Sequence, residues 1–177
     1  MSIFSNRMSD AKAEAGAYTR AVLGLLGDQD PMVVLGSRDD EITRVVSGFD
    51  EARLAAPEAP GKWSALHVLR HLVDSELVWA IRLRKVVAED RPAIYGYDQD
   101  QWADRLHYDR QSSADVRADL RALRRLNLRF LRGLDPDDLD RVGVHSERGD
   151  ESVGHMIRLY AGHDLLHLNQ LRRILGG

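Results

Sequence analysis

Apolar residues recur at intervals of three and four over three long stretches of the chain, which is the spacing of an amphipathic α-helix. These stretches span residues 64–89, 113–134 and 151–175. The first would extend for about 39 Å at 1.5 Å per residue, a length typical of helical bundles. We expect its buried face to consist of Leu66, Leu69, Leu72, Val73, Leu77, Ala80 and Ile81.

The N-terminal part of the chain predicts shorter elements. Residues 11–26 form a first helix that ends at Gly27, and Pro31 begins a short turn that reaches residue 35. Residues 37–49 form a second short helix, with acidic residues at its positive end.

The predicted helices are joined by polar loops in which no strand-type alternation is visible. Residues 55–62 are rich in proline, residues 137–150 are polar, and residues 95–102 are aromatic and acidic. A loop of the last kind either covers a site or is held to the bundle by its aromatic rings. The whole pattern predicts an all-α four-helix bundle with a short extra helix and a long inter-helix loop.

The composition predicts one globular domain over residues 1–177, with residues 1–10 loosely held. Hydrophobic residues make up 44% of the chain and charged residues 30%, and the net charge of −3 argues against nucleic-acid binding. Cysteine is absent, which excludes disulfides and thiolate ligands. Because we find neither a membrane-length apolar run nor a signal-peptide core, we expect a cytoplasmic protein that does not bind membranes.

Two histidines on the last predicted helix are the first candidates for chemistry. His163 and His167 are four residues apart, so they lie on one face of the helix, and that face is otherwise apolar. Two imidazoles at this spacing can hold one metal ion. The same spacing fits equally well a pair of hydrogen-bonded core histidines.

A third histidine favours the metal site. His71 lies within the apolar face of the first long helix, and three imidazoles would leave coordination positions open for water or substrate. Three neutral ligands also leave the two charges of a divalent ion uncompensated. Such a site attracts hydroxide, a carboxylate or a thiolate.

Two polar neighbours are candidates for supporting roles. Asp74 follows His71 by three residues and could accept a hydrogen bond from an imidazole or act as a base, although a partly solvated ion pair is an equally good interpretation. Gln170 follows His167 by three residues and could orient its ring or contact substrate. Glu76 is expected to point away from the site, towards Arg82 or Arg84.

The remaining polar side chains have simpler interpretations. Asn127 interrupts the apolar face of its helix and needs a hydrogen-bond partner. His107 and His145 are predicted to be exposed. A solvated surface is predicted for the arginines of that helix, which are Arg117, Arg121, Arg124, Arg125, Arg129 and Arg132.

The chain resembles the DinB/YfiT-like superfamily of bacterial four-helix-bundle metalloproteins. The resemblance covers residues 18–175 and rests on W-S-x-x-x-x-x-x-H-L-x-D-x-E from Trp63 and on G-H-D-x-x-H-x-x-Q-L from Gly162. It implies a divalent metal ion, nickel or zinc, held by three histidines. Carried over to this chain, the ligands are His71, His163 and His167.

One position departs from the family. His67 stands where relatives commonly carry glutamate, so it is either a fourth ligand or a first-turn histidine near the helix cap.

The resemblance also implies a range of functions. The leading expectation is a metal-dependent enzyme of the thiol S-transferase type, acting on a small electrophile with a low-molecular-weight thiol as co-substrate. The alternatives are a metal-dependent hydrolase and a metal-binding stress-response module without turnover. A homodimer is a further expectation that rests on the resemblance alone.

Overall fold

Five helices of 16 to 24 residues form the body of the protein in the computed structural model, which describes residues 11–176. They are α1 (Ala11–Leu26), α2 (Pro31–Val46), α4 (Ala65–Ala88), α6 (Ser113–Arg132) and α7 (Val153–Leu175). Helix α7 packs against α1, α2 and α4, and α6 packs against α4 and α2. Helices α2, α4, α6 and α7 therefore close a four-helix bundle with α1 against α7, which confirms the predicted fold class. None of the described helices has the length and apolarity needed to cross a membrane.

Local signals set the ends of the long helices. Ser64, Ser112 and Ser152 are the N-caps of α4, α6 and α7, and each side chain accepts a hydrogen bond from a backbone N–H one turn ahead. Helix α7 ends at Gly176, whose φ of 85° is the left-handed conformation that glycine adopts without strain.

Short elements occupy the connections. They are α3 (Glu51–Ala55), α5 (Gln99–Arg105), 3₁₀ turns at Tyr108–Arg110 and Pro136–Asp140, and the strands β1 (Ala93–Ile94), β2 (Val142–His145) and β3 (Gly149–Ser152). Strand β2 lies in the centre of the sheet, parallel to β1 and antiparallel to β3. The sheet packs against α4 and α7, so it brings the β2–β3 turn to the end of the bundle.

The apolar core is divided into two clusters by a layer of polar side chains. On α4 one cluster ends at Val73 and the other begins at Trp79, and on α7 the corresponding limits are Leu168 and Ala161. Buried polar residues fill the level between them, and we call this set the polar layer: Arg38 on α2, Asp74, Ser75 and Glu76 on α4, Arg124 and Asn127 on α6, and His163, Asp164 and His167 on α7.

Several predictions about elements were wrong. The turn that begins at Pro31 and the helix predicted at 37–49 are one helix, α2, because burial of Val34, Leu35, Ile42 and Val46 outweighs the weak helix propensity of Gly36. The sheet was missed because strands of two to four residues are too short to show alternation.

Two side chains that were predicted to be buried are exposed. Leu77 is 42% exposed and Ile81 is 63% exposed, because both lie on the side of α4 that faces away from α6 and α7. The prediction that residues 1–10 are loosely held concerns residues outside the described part of the chain.

Candidate metal centre

Three buried imidazoles from two helices converge between the apolar clusters. His71 comes from α4, and His163 and His167 come from successive turns of α7. One nitrogen from each ring lies within 4.8 Å of the others, and the Nε2 atoms of His71 and His163 are 3.2 Å apart. Nitrogens bound tetrahedrally to one ion at 2.0–2.1 Å would be about 3.4 Å from each other. The arrangement therefore has the dimensions of a three-histidine metal site.

Burial keeps the three rings neutral. It lowers the pKa of His71 and of His163 well below the usual value, and neighbouring imidazoles lower both further. Burial also lowers the pKa of His167 to about 4, against the opposing effect of the Gln170 hydrogen bond. Neutral imidazole is the form that binds metal ions.

The hydrogen bonds of the rings fit a cation between them. The Nδ1 atom of His167 donates to Oε1 of Gln170 at 2.7 Å, so the lone pair of this ring is on Nε2. The Nδ1 atoms of His71 and His163 are buried without a partner in the described residues. The 3.2 Å contact between the Nε2 atoms of His71 and His163 fits two arrangements: a hydrogen bond with one of the rings protonated at Nε2, or two lone pairs directed at one cation. The donor set therefore suits a first-row divalent ion.

The structure places the other candidates differently. Asp74 accepts a hydrogen bond from the Tyr108 hydroxyl at 2.5 Å and lies 3.6 Å from Arg70. It thus connects the 3₁₀ turn at Tyr108–Arg110 to α4, and no imidazole among the described residues donates a hydrogen bond to it. His67 places Nδ1 2.7 Å from Oγ of Ser64 at the helix cap and is outside the cluster of three rings.

Two hydroxyl groups beside the rings were missed by the sequence predictions. Ser75 Oγ lies 3.3 Å from Nε2 of His71 and 3.3 Å from the hydroxyl oxygen of Tyr97. Burial raises the pKa of Tyr97. Ser75 follows His71 by four residues, so the sequence could have placed it on the same helix face as His71. Tyr97 belongs to the loop at 95–102, which the sequence marked only as a whole.

A buried ionic cluster lies next to the candidate metal ligands. Arg124 donates to Glu76 at 2.6 Å and to Asp164 at 2.6 Å, and Asn127 donates to the other oxygen of Glu76 at 2.7 Å. Arg124 is 5% exposed, so the prediction that it lies on a solvated surface was wrong. The predicted direction of Glu76 was also wrong, since its partner is on α6. Arg124 is buried because two carboxylates compensate its charge.

A cavity of about 120 Å³ opens beside the metal-ligand candidates. Ser75, Tyr97, His163 and His167 line the part near the rings. The other walls include Arg82 from α4 and the residues His145, Glu147 and Arg148 from β2 and the turn after it.

His145 is 2% exposed, which corrects the prediction that it is exposed. Burial, and then the charge of Arg148, lowers its pKa to about 4, so its ring is neutral. The position of β2 between β1 and β3 turns this side chain inwards, and the residues next to His145 in the sequence do not predict that pairing.

Comparisons with known proteins show which family the chain resembles. The family model of the DinB superfamily matches residues 37–171. A protein of Oceanobacillus iheyensis, provisionally named a metal-dependent hydrolase, is 36% identical over 127 residues, which cover 72% of this chain and 73% of the relative. A protein of Bacillus mycoides with the same provisional name is 30% identical over 77% of this chain and 80% of the relative.

Among solved structures, YfiT from Bacillus subtilis superposes with a TM-score of 0.73 at 24% sequence identity, covering 82% of this chain and 86% of that one. It is described as a probable metal-dependent hydrolase with an unusual four-helix bundle topology.

Proposed function

This chain belongs to the DinB superfamily, and we propose that it is a metal-dependent hydrolase whose ion is held by His71, His163 and His167. The observation that carries the proposal is the convergence of three buried, neutral imidazoles beside a cavity, two of which, His163 and His167, line it. The names of the relatives point to the same class of reaction. They favour the hydrolase alternative over the expected thiol S-transferase, for which they offer no support.

When bound, a divalent ion at this site supplies Lewis acidity and activates water near neutral pH. The cluster of candidate ligands contains no carboxylate in the described residues, so the protein leaves the full charge of the ion available to the reactants. Gln170 holds the His167 ring in one tautomer. The Glu76–Arg124–Asp164 cluster fixes α7 one residue away from His163.

Tyr97 is the proton donor in this proposal. Its raised pKa keeps the hydroxyl protonated at neutral pH, and the hydroxyl lies at the cavity wall on the side of Ser75. A protonated phenol there can donate a hydrogen bond to the oxygen on which negative charge develops, or a proton to the leaving group. Ser75 links Tyr97 to His71 and so positions the phenol relative to the metal site.

The experiment is a substrate screen with matched histidine variants. Protein loaded with zinc or nickel is incubated with ester and amide panels, with and without small thiols and with and without a chelator. We expect cleavage that needs metal but no thiol, and its loss together with the bound metal in His163→Ala. His155→Ala is the control, because His155 lies on the same helix outside the cluster.

The other functions predict different outcomes. Loss of electrophile only in the presence of a thiol would replace the hydrolase by the S-transferase. Bound metal without turnover across the panel would favour the binding module. Undiminished metal content in His163→Ala would remove the ligand assignment.

A further inference from the structure

The cavity extends along α4 from the metal site to an end that is lined by two arginines, Arg82 and Arg148. Ser75, which lies beside His71, and Arg82 both line it. They are seven residues apart, so Arg82 is about 10 Å further along the helix axis. A ligand in this cavity can therefore reach the imidazole rings with one end and Arg82 with the other.

The two arginines at this end differ in how their charge is compensated. Arg148 forms a two-pronged ion pair with Glu151, with N–O distances of 2.5 and 3.0 Å. Arg82 donates to the backbone carbonyl of Tyr95 and has no carboxylate within 4.0 Å among the described residues. Of the two guanidinium groups, only that of Arg82 lacks an anionic partner within the described chain.

The surroundings of Arg82 disfavour a charged guanidinium that has no ion-pair partner. Burial, followed by repulsion from Arg148, lowers the pKa of Arg82 to about 10, so it remains charged at neutral pH. The charges of Glu151 and Glu147 oppose this shift, but neither carboxylate forms an ion pair with Arg82, so this half-buried cation has lost solvation that no directly bound anion replaces. The fork of N–H groups on a guanidinium matches the two oxygens of a carboxylate or a phosphate.

A second charged group selects between these two anions. Glu147 lines the same part of the cavity, and its carboxylate lies so close to Gly96 that a Cβ there would be 2.8 Å from Oε1. This negative charge repels a dianionic phosphate more strongly than a monoanionic carboxylate. A ligand group with a single negative charge is therefore the best match for Arg82 when Glu147 lies nearby.

We propose that the substrate carries a carboxylate at the end remote from the bond that is cleaved, and that Arg82 binds this carboxylate. This rests on the proposed hydrolase function, because that function assigns the cleaved bond to the end of the cavity near the imidazole rings. The substrate class is thus an acyl compound with a second, free carboxyl group a few atoms from the reacting carbonyl. Arg82 is a residue that determines specificity, and it takes no part in the chemical step.

The test uses ligands that differ only in this charge. Monoanilides of succinic, glutaric and adipic acid are titrated calorimetrically into the metal-loaded full chain, next to neutral anilides of equal length and a phosphonate analogue. We expect at least one of the acids to bind at least about tenfold more tightly than its neutral partner, and more tightly than the phosphonate.

Two matched arginine variants test whether Arg82 causes the tighter binding of the acids. In Arg82→Gln, which keeps an N–H donor for the Tyr95 carbonyl, the charged and neutral anilides should bind within about twofold of each other. Arg158→Gln should keep the full preference, because Arg158 is exposed, also donates to one backbone carbonyl and does not line the cavity. The comparison within the wild-type protein needs no variant, so it stands even if Arg82→Gln is unstable.

The results separate this proposal from the hydrolase proposal. Equal binding of acids and neutral anilides, a preference that survives in Arg82→Gln, or no binding by any of the acids would overturn the carboxylate site. Tighter binding of the phosphonate would replace carboxylate by phosphate as the recognised group. If the acids bind through Arg82 but no ester or amide is cleaved, only the reaction class is wrong.

Discussion

Replacing Arg124 by leucine removes the cation of the buried ionic cluster and leaves two carboxylates without compensation. Glu76 and Asp164 are each 1% exposed, so water cannot take over the lost interactions. Removing one partner of a buried ion pair costs about 3–5 kcal/mol. We expect Arg124→Leu to lose that much of the free energy of unfolding, which is a large part of the 5–15 kcal/mol typical of a domain.

Arg121→Leu is the matched control on the same helix. Arg121 also forms an ion pair, with Asp39 at 2.7 Å, but its side chain is 53% exposed. Exposed pairs contribute about 0.2–1 kcal/mol. Urea denaturation followed by circular dichroism gives both values, and the difference should also appear as a melting temperature about 6–20 °C lower for Arg124→Leu.

The pH dependence provides an independent check. Burial already raises the pKa of Glu76, and Arg124 opposes that rise. Without Arg124 the pKa of Glu76 in the folded state rises further above its unfolded value, so the folded variant binds more protons than the unfolded one. Its stability is therefore lost as the pH rises, and the defect should be larger at about pH 8 than at about pH 5.

Two results would refute this reasoning. One is a loss in Arg124→Leu that is no larger than in Arg121→Leu, and the other is a defect that does not shrink on acidification. The triple variant Arg124→Leu, Glu76→Gln, Asp164→Asn should recover part of the loss, because neither of the two buried carboxylates is left charged without Arg124.

Three further predictions concern the site and its surroundings. Gly162→Ala should destabilise the fold by about 1–3 kcal/mol in urea denaturation, because the new methyl group would overlap the backbone of α1. The control Gly24→Ala meets nothing within 4 Å and should stabilise the fold by up to about 1 kcal/mol. Equal effects of the two variants would contradict the close packing of α1 on α7. Gln170→Leu should weaken metal binding about 10- to 100-fold in competition with a chromogenic chelator, and Asn169→Leu should not; unchanged affinity would exclude an orienting role. Because the pKa of His167 is lowered to about 4, bound metal measured after dialysis should persist down to about pH 5, while early release near pH 6.5 would indicate ordinary histidines.

Local sequence signals were sufficient for helices α1, α4, α6 and α7. Apolar spacing placed α4 and α7 within two residues of their observed ends, where the structure shows Ser64, Ser152 and Gly176 as caps, because both signals depend on the nearest turns of the chain. The spacing of His163 and His167, and the apolar setting of His71, were enough to nominate three rings as ligands. The structure brings these three rings together between α4 and α7, and metal binding by them stays a prediction.

The errors have a common cause. Helical periodicity states which residues share a face and says nothing about what that face contacts. Leu77 was therefore predicted to be buried and Arg124 to be solvated, although the packing of α4 and α6 produced the opposite in both cases. The place of β1 in the sheet depends on pairing between residues about 50 positions apart, as at Ala93 and Val144, and a local pattern cannot contain that information.

The sequence by itself determined the helices, their ends and the residue types available for metal chemistry, since these depend on interactions within one or two turns. Only the tertiary structure decided which side chains share the polar layer, because burial and charge compensation come from residues far apart in the chain. It placed Ser75 and Tyr97 beside the imidazoles and left Arg82 at the cavity wall without an anion from the described chain. A cavity is the space between elements, so no single element encodes it.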